Sequence, residues 1–167
     1  AFAKIGMVKD LAWADLDGDK SSELIVTGEW LPITVFKNKG GKLTDATSQF
    51  GFEGSNGWWN CLHVADFDKD GDLDLVAGNL GLNARLKPTP DAPIQLYAAD
   101  FDKNGSLDPV MTWYQGGKEY PLPQRDVMIK QMPVLKKDFV YHRAYGQTTI
   151  KDLFNASALE AAQKLVA

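Results

Sequence analysis

Three short stretches of the chain contain most of its aspartate residues, and their spacing could create metal sites. Each stretch is a nine-residue window with carboxylates at positions 1, 3 and 9 and with Asp or Asn at position 5. The residues at positions 1, 3, 5, 7 and 9 are Asp15, Asp17, Asp19, Ser21 and Glu23 in the first window, Asp66, Asp68, Asp70, Asp72 and Asp74 in the second, and Asp100, Asp102, Asn104, Ser106 and Asp108 in the third. Three matching windows in 167 residues indicate internal repeats.

The crowding of negative charge in these windows points to a bound cation. Two carboxylates about 4 Å apart repel each other by about 4 kcal/mol at an effective dielectric of 20. Side chains at positions 1, 3 and 5, the backbone carbonyl at position 7 and a carboxylate at position 9 would supply six or so oxygen ligands, as calcium prefers. Zinc prefers nitrogen or sulfur, and magnesium keeps more water. The sequence therefore predicts up to three Ca²⁺ ions.

The windows differ in ways that should affect binding. The second and third have Gly71 and Gly105 at position 6, where a left-handed backbone is expected, whereas the first has Lys20 there and Gly18 at position 4. Asn104 leaves the third window with one carboxylate fewer, so we expect it to bind calcium more weakly.

The windows have two other interpretations. The helix-loop-helix calcium motif requires Glu at position 12, but that position holds Val26, Ala77 and Met111. Asp, Asn and Gly also favour turns without any metal; three copies in register make that explanation much weaker than it would be for one.

Each window lies between two short apolar runs. The runs before the windows cover residues 11–14, 62–65 and 96–99, and those after them cover 24–28, 75–78 and 110–112. Short runs rich in β-branched and aromatic residues, bounded by turn residues, are typical of buried strands. We therefore expect antiparallel hairpins whose connections carry the carboxylates.

Loops of this pattern inside β-hairpins resemble those of the FG-GAP/VCBS repeats, which occur in integrin-like β-propellers and in large bacterial envelope proteins. Gly28 and Gly78 after the second strand, and the pair Phe50 and Gly51, match that family, whereas Thr112 departs from it. The resemblance covers about residues 7–115 and implies propeller blades with structural calcium and no catalytic residue. Since three loops cannot close a propeller, it also implies a partial propeller whose remaining blades belong to a parent protein.

The last third of the chain has a different pattern. Prolines at 121, 123 and 133 separate short stretches that suit helices, and Thr149 and Asp152 form a helix-start pattern. Residues 156–167 are rich in helix formers, although a strand over the last dozen residues is the alternative. We therefore expect a mainly β fold with propeller blades at residues 1–120 and a helical insertion or appendage at 121–167, packed on the blades.

The aromatic residues offer a second candidate site. Trp58, Trp59 and Asn60 could form a surface on which sugars stack, although core packing is the commoner role of such residues. A carbohydrate-binding or carbohydrate-processing module is accordingly the alternative function. Cys61 and His63 lie two residues apart on one expected strand; a buried cysteine is a commoner outcome than a nucleophile.

Composition excludes several classes of protein. The net charge of −4 argues against a nucleic-acid partner, and a single cysteine excludes an internal disulfide. No apolar stretch is long enough to span a bilayer, and the start at Ala1 suggests a piece of a longer protein. We expect a non-enzymatic, calcium-binding scaffold or adhesive module of a secreted, periplasmic or surface protein, which contacts an extracellular protein or glycan.

Overall fold

The computed structural model describes residues 5–81 and 84–167. The strands are β1 (Met7–Ala14), β2 (Glu23–Leu31), β3 (Thr34–Lys39), β4 (Lys42–Asp45), β5 (Gly57–Ala65), β6 (Asp74–Asn79), β7 (Gln95–Ala99), β8 (Asp108–Gln115), β9 (Lys118–Pro121) and β10 (Gln163–Val166). The α-helices are α1 (Arg125–Gln131), α2 (His142–Tyr145), α3 (Ile150–Leu153) and α4 (Ala156–Ala161), and 3₁₀ turns lie at Thr47–Phe50 and Pro133–Lys136. The expectation of a mainly β, antiparallel fold with short helices is confirmed.

The chain divides into two compact units, residues 1–85 with 167 and residues 86–166. Residues 121–166, which contain the helices, belong to the same unit as β7, β8 and β9. Residues 84–94 between the last strand of one unit and the first strand of the other contain only an isolated bridge between Thr89 and Ala92.

The first unit is built on a four-stranded antiparallel meander. Strands β1 to β4 pair in chain order, and β5 joins the end of β2 and pairs with β6. Eight of the nine residues of β2 are buried, as expected for a central strand covered on both faces.

Alternation along β2 creates two small cores. Ile25 and Val35 are paired and fully buried on one face, where side chains of β5 and β6 pack against them. Leu24 and Phe36 are paired on the other face. The apolar run of this strand therefore holds two layers of side chains together.

Two glycines that match the repeat family lie opposite β-bulges. The pairing of β1 with β2 shifts between Val8 and Asp10, next to Gly28, and a side-chain Cβ at Gly28 would lie 2.1 Å from the Met7 carbonyl oxygen. The pairing of β5 with β6 shifts next to Gly78, where a Cβ would lie 2.5 Å from Cys61 Sγ. The third hairpin has Thr112 instead of glycine and a register without a shift.

Asp10 uses the first bulge to join the two hairpins of this unit. Its Oδ1 accepts a hydrogen bond from the Leu11 backbone N–H and its Oδ2 accepts one from the Leu62 N–H, both at 2.9 Å. The side chain thus takes the place of a backbone carbonyl between β1 and β5.

We expect Asp10→Ala to lower the free energy of unfolding by about 1 kcal/mol or more, because the Leu62 N–H loses its acceptor. Asp10→Asn keeps a side-chain oxygen that can accept this bond, so it should cost less. Urea denaturation of both variants checks the prediction; equal losses would show that charge, and not the hydrogen bond, matters at this position.

The second unit is a four-stranded sheet with helices packed against it. Its strand order is β10-β7-β8-β9. Tyr97 and Val110 are paired across β7 and β8 and share a core with helical residues such as Met128 and Ile150. Residues 121–161 contain helices, as expected, but Gln163–Val166 forms an edge strand paired with β7. The residues there favour a helix but form a strand, because tertiary contacts can override helix propensity.

Tyr145 secures the helical segment to the chain just after β9. Its side chain is 8% exposed, and its hydroxyl donates a 2.8 Å hydrogen bond to the Pro123 carbonyl. Burial raises the pKa of the Tyr145 phenol to about 12. The neutral phenol is thereby favoured in the folded state.

This raised pKa predicts alkaline destabilisation. The unfolded tyrosine ionises near pH 10, so the stability that Tyr145 contributes is present below pH 10 and is lost as the pH rises towards 12. Tyr145→Phe should make the free energy of unfolding less dependent on pH between 10 and 12, as measured by urea denaturation at several pH values. Tyr141→Phe, at a side chain 75% exposed, is the control and should leave the pH dependence unchanged.

Candidate metal centre

Each acidic window forms the connection of one antiparallel hairpin. The windows join β1 to β2, β5 to β6, and β7 to β8. The residue before position 1 is paired with the carboxylate at position 9 in every case: Ala14 with Glu23, Ala65 with Asp74, and Ala99 with Asp108. The three windows therefore start and end at equivalent places in three hairpins.

The three loops share one backbone conformation. Positions 4 and 6 have positive φ in all of them, with values of 73° and 69° at Gly18 and Lys20, 66° and 100° at Lys69 and Gly71, and 61° and 88° at Lys103 and Gly105. Each loop thus has one glycine and one lysine at its two left-handed positions. The first loop, despite Lys20 at position 6, has the same fold as the others.

The aspartate at position 1 is at the centre of each loop's hydrogen bonding. One of its oxygens accepts from the backbone N–H at position 6: Lys20 to Asp15 at 2.8 Å, Gly71 to Asp66 at 3.1 Å, and Gly105 to Asp100 at 2.9 Å. The side-chain oxygen at position 5 accepts from the N–H at position 7, with Asp19, Asp70 and Asn104 as acceptors. Backbone N–H groups thus orient the oxygens and partly offset their charge.

The carboxylate at position 9 uses only one oxygen in these hydrogen bonds. That oxygen accepts from the N–H at position 2: Leu16 to Glu23 at 3.0 Å, Phe67 to Asp74 at 2.8 Å, and Phe101 to Asp108 at 3.0 Å. Glu23 is 1% exposed, and its other oxygen, Oε1, is buried without a hydrogen-bond partner. A buried carboxylate oxygen without a partner is costly unless a cation is near it.

The structure brings three carboxylates together in each loop. In each of the groups Asp15, Asp17 and Asp19, Asp66, Asp68 and Asp70, and Asp100, Asp102 and Asp108, one oxygen per residue lies within 4.8 Å of the others. Oxygens that share a calcium ion at 2.3–2.6 Å can be up to about 5 Å apart, so these spacings suit a common ion. Glu23 and Asp74 at position 9 are not members of their groups, whereas Asp108 is.

Position 7 contributes differently in the three loops. The Ser21 hydroxyl donates a 2.9 Å hydrogen bond to the Asn38 carbonyl, which ties the first loop to β3. Asp72 adds a fifth carboxylate to the second loop, and its pKa is raised by a hydrogen bond and charge repulsion with Asp70. The pKa of Asp70 is lowered, chiefly because its carboxylate accepts the Asp72 backbone N–H. A cation bound in the second loop would relieve this repulsion.

The helical segment supports the third loop. Phe101, at position 2 of that loop, stacks on Phe154 with ring centroids 4.0 Å apart. The N–H of this same residue donates to Asp108, which is 2% exposed. Core packing in the second unit thus fixes the position of a carboxylate.

The first loop also contains a cation that the window pattern did not reveal. The Lys37 ammonium, on β3, donates a hydrogen bond to Asp17 Oδ2, and this bond lowers the pKa of the Asp17 carboxyl. The two residues are 20 positions apart. Only the strand register places them together, so no spacing rule could have identified the pair.

The residues of the expected sugar platform do not form one surface. Trp59 packs in the core between the hairpins of the first unit and donates its indole N–H to the Ser55 carbonyl at 2.8 Å. Trp58 instead contacts Trp30, edge to face, with ring centroids 5.3 Å apart. Asn60 lies at the bulge of β5 and is exposed. Cys61 and His63 are both exposed, so Cys61 is not the buried thiol that was expected.

Two substitutions in the second loop test its backbone conformation. A Cβ at Gly71 would contact nothing within 4 Å, so Gly71→Ala acts only through its φ of 100° and should lower the free energy of unfolding by about 1 kcal/mol. Lys69→Gly removes a lysine from a left-handed backbone conformation, so it should lower the free energy of unfolding less than Gly71→Ala does. Urea denaturation compares them; a larger loss for Lys69→Gly would contradict the assigned conformation.

Comparison with known proteins places part of this architecture in a family. Among the described residues, no helix is long and apolar enough to cross a membrane. Searches of curated proteins and of solved structures gave no match. The family model for the FG-GAP-like repeat matches residues 10–77, from the bulge aspartate of β1 through the first two acidic loops. Residues 10–77 therefore form an FG-GAP-like repeat, which confirms the resemblance inferred from the sequence of the loops.

Proposed function

We propose that the three acidic loops bind calcium and that the chain is a non-enzymatic scaffold module of a secreted, periplasmic or surface protein. The observation that carries this proposal is the threefold recurrence of a carboxylate cluster, with oxygens within 4.8 Å, in loops of equal backbone conformation. A repeat module implies further repeats or domains in a parent protein, and these are its first expected partners.

The donor atoms fit calcium better than other common ions. The carboxylates of Asp15, Asp66 and Asp100 and the position 9 carboxylates supply only oxygen, the ligand that calcium takes in flexible cages. The buried Oε1 of Glu23 is the best single sign of fit in the first loop, because an ion there would supply its missing partner. The thiol of Cys61 and the imidazole of His63 are not members of any metal-ligand cluster among the described residues, which argues against zinc.

Calcium in these loops would be structural. It would hold the carboxylates of one hairpin against the loop backbone and relieve repulsions such as that between Asp70 and Asp72. Three divalent ions would change the net charge from −4 to +2. Extracellular modules bind calcium at 10⁻⁴–10⁻³ M, which favours a location outside the cytoplasm.

The arrangement of strands supports a blade of a β-propeller as the structural role. Strands β1 to β4 form an antiparallel four-stranded meander, which is the form of a propeller blade. The hairpin of β5 and β6 would begin the next blade, and other blades would come from the parent protein. Adhesion to an extracellular protein or glycan is the role we propose for the complete assembly.

The alternative function, carbohydrate binding at Trp58, Trp59 and Asn60, has less support. Trp59 belongs to the core, so a sugar could stack only on Trp58, which already contacts Trp30. No specific contact of the described residues favours a carbohydrate over calcium.

Calorimetric titration of calcium into metal-free protein tests the proposal. We expect up to three ions to bind and the unfolding free energy to rise by about 1.4 kcal/mol per site when free calcium is ten times the dissociation constant. Asp66→Asn keeps an acceptor for the Gly71 N–H but removes a charge, so it should abolish or strongly weaken binding at the second loop alone.

Asp138→Ala is the matched control, because it removes an exposed carboxylate outside the loops. It should leave all binding events in place. Absence of calcium binding, together with a melting temperature that a chelator does not change, would refute the proposal.

A further inference from the structure

Lys37 forms an ion pair with a carboxylate of an acidic loop, that of Asp17. Other ion pairs in the described part of the chain join Lys9 to Glu29, and Arg125 and His142 to Asp126. The first loop therefore already contains a positive charge.

The position of the ammonium is fixed from two sides. Its Nζ bonds Asp17 Oδ2 and lies 5.6 Å from the centroid of the Phe50 ring. The Lys37 and Asp17 side chains are only 23% and 31% exposed. Phe50 belongs to the first core of the unit, so the aromatic face is itself held in place. The ammonium is therefore held between a carboxylate of the loop and an aromatic ring that packs against the core.

The pair involves a carboxylate that a metal ion would need. Asp17 occupies position 3, and its carboxylate is one of the three whose oxygens cluster in the first loop.

We propose that Lys37 is an internal competitor for calcium at the first loop: its ammonium neutralises the loop when calcium is absent and must leave Asp17 when calcium binds. The inference rests on the proposed calcium function. It gives the first loop a lower affinity than its four carboxylates suggest and makes its order less dependent on metal than that of the second loop.

Electrostatics gives the expected size of the effect. An ammonium that stayed on Asp17 would lie about 5 Å from a divalent ion bound to the same carboxylate. Even at the dielectric constant of water, that repulsion would change a dissociation constant about tenfold, so calcium binding has to displace the ammonium. Removing the ammonium should therefore tighten calcium binding at the first loop about tenfold. It should also lower stability in a chelator, because the loop carboxylates lose their counter-charge.

The experiment measures calcium binding at the first loop with the other two loops disabled. In a background of Asp66→Asn and Asp100→Asn, calorimetric titration compares Lys37 with Lys37→Met and Lys37→Arg. Lys39→Met is the matched control, since it removes an exposed lysine from the same strand. Circular dichroism checks that every variant is folded, and urea denaturation in a chelator measures metal-free stability.

We expect Lys37→Met to tighten binding about tenfold, Lys37→Arg to keep the weak affinity, and Lys39→Met to change it less than twofold. If Lys37→Met behaves like Lys39→Met, or weakens binding, the inference is overturned while the calcium function stands. Binding at the second and third loops of the unmutated chain, with none at the first loop in any variant, overturns it as well. Absence of binding at every loop of the unmutated chain overturns the inference and the proposed function together.

Discussion

Repulsion between carboxylates in tight hairpin connections is the constraint on which the rest of this structure depends. In each loop, backbone N–H groups donate to the carboxylates at positions 1 and 9 and so offset part of this repulsion. The same loops have left-handed residues at positions 4 and 6, so these hydrogen bonds and this backbone conformation occur together in all three. The hydrogen bonds do not use the second oxygen of the position 9 carboxylate. In Glu23 that oxygen is buried without a hydrogen-bond partner, so hydrogen bonds alone do not compensate its charge.

A second constraint joins the hairpins that carry the loops. In each of the first two hairpins a bulge lies in the strand before the loop, opposite a glycine whose Cβ would collide with the bulged strand. In the first hairpin the bulge also directs Asp10 towards Leu62 of the next hairpin. Close backbone approach therefore explains Gly28, whereas at Gly78 the atom that a Cβ would meet is the Cys61 sulfur. The third hairpin, with Thr112 at that place, has no bulge and is supported by the helical segment instead.

The sequence alone was sufficient for features encoded by local spacing. It predicted the hairpins and the three clusters because the window of nine residues contains nearly everything that forms a loop. It did not predict the contact of Lys37 with Asp17, which depends on the register of β3 beside β2. For the last dozen residues it left helix and strand both open, since the alanine-rich pattern favours a helix and only the pairing of Gln163–Val166 with β7 decides for a strand. The Trp58 and Trp59 surface was expected from adjacency in sequence, but neighbouring strand residues face opposite sides.

The contacts of Phe50 connect two features of the repeat that lie apart in the sequence, the Phe50 and Gly51 pair and the first acidic loop. The Phe50 and Gly51 pair lies at the end of the 3₁₀ turn after β4, far along the chain from the first acidic loop. Its ring packs in the core with Ile25 and Val35 while presenting a face to the Lys37 ammonium, which in turn bonds Asp17. The apolar core and the charged loop are thus linked through one lysine side chain. Because the ring packs against the core, folding already holds the ammonium at the loop. The lysine side chain therefore loses its conformational entropy when the protein folds and not when calcium dissociates. The first loop thus holds a positive charge at its position 3 carboxylate, although its backbone is like those of the other two loops.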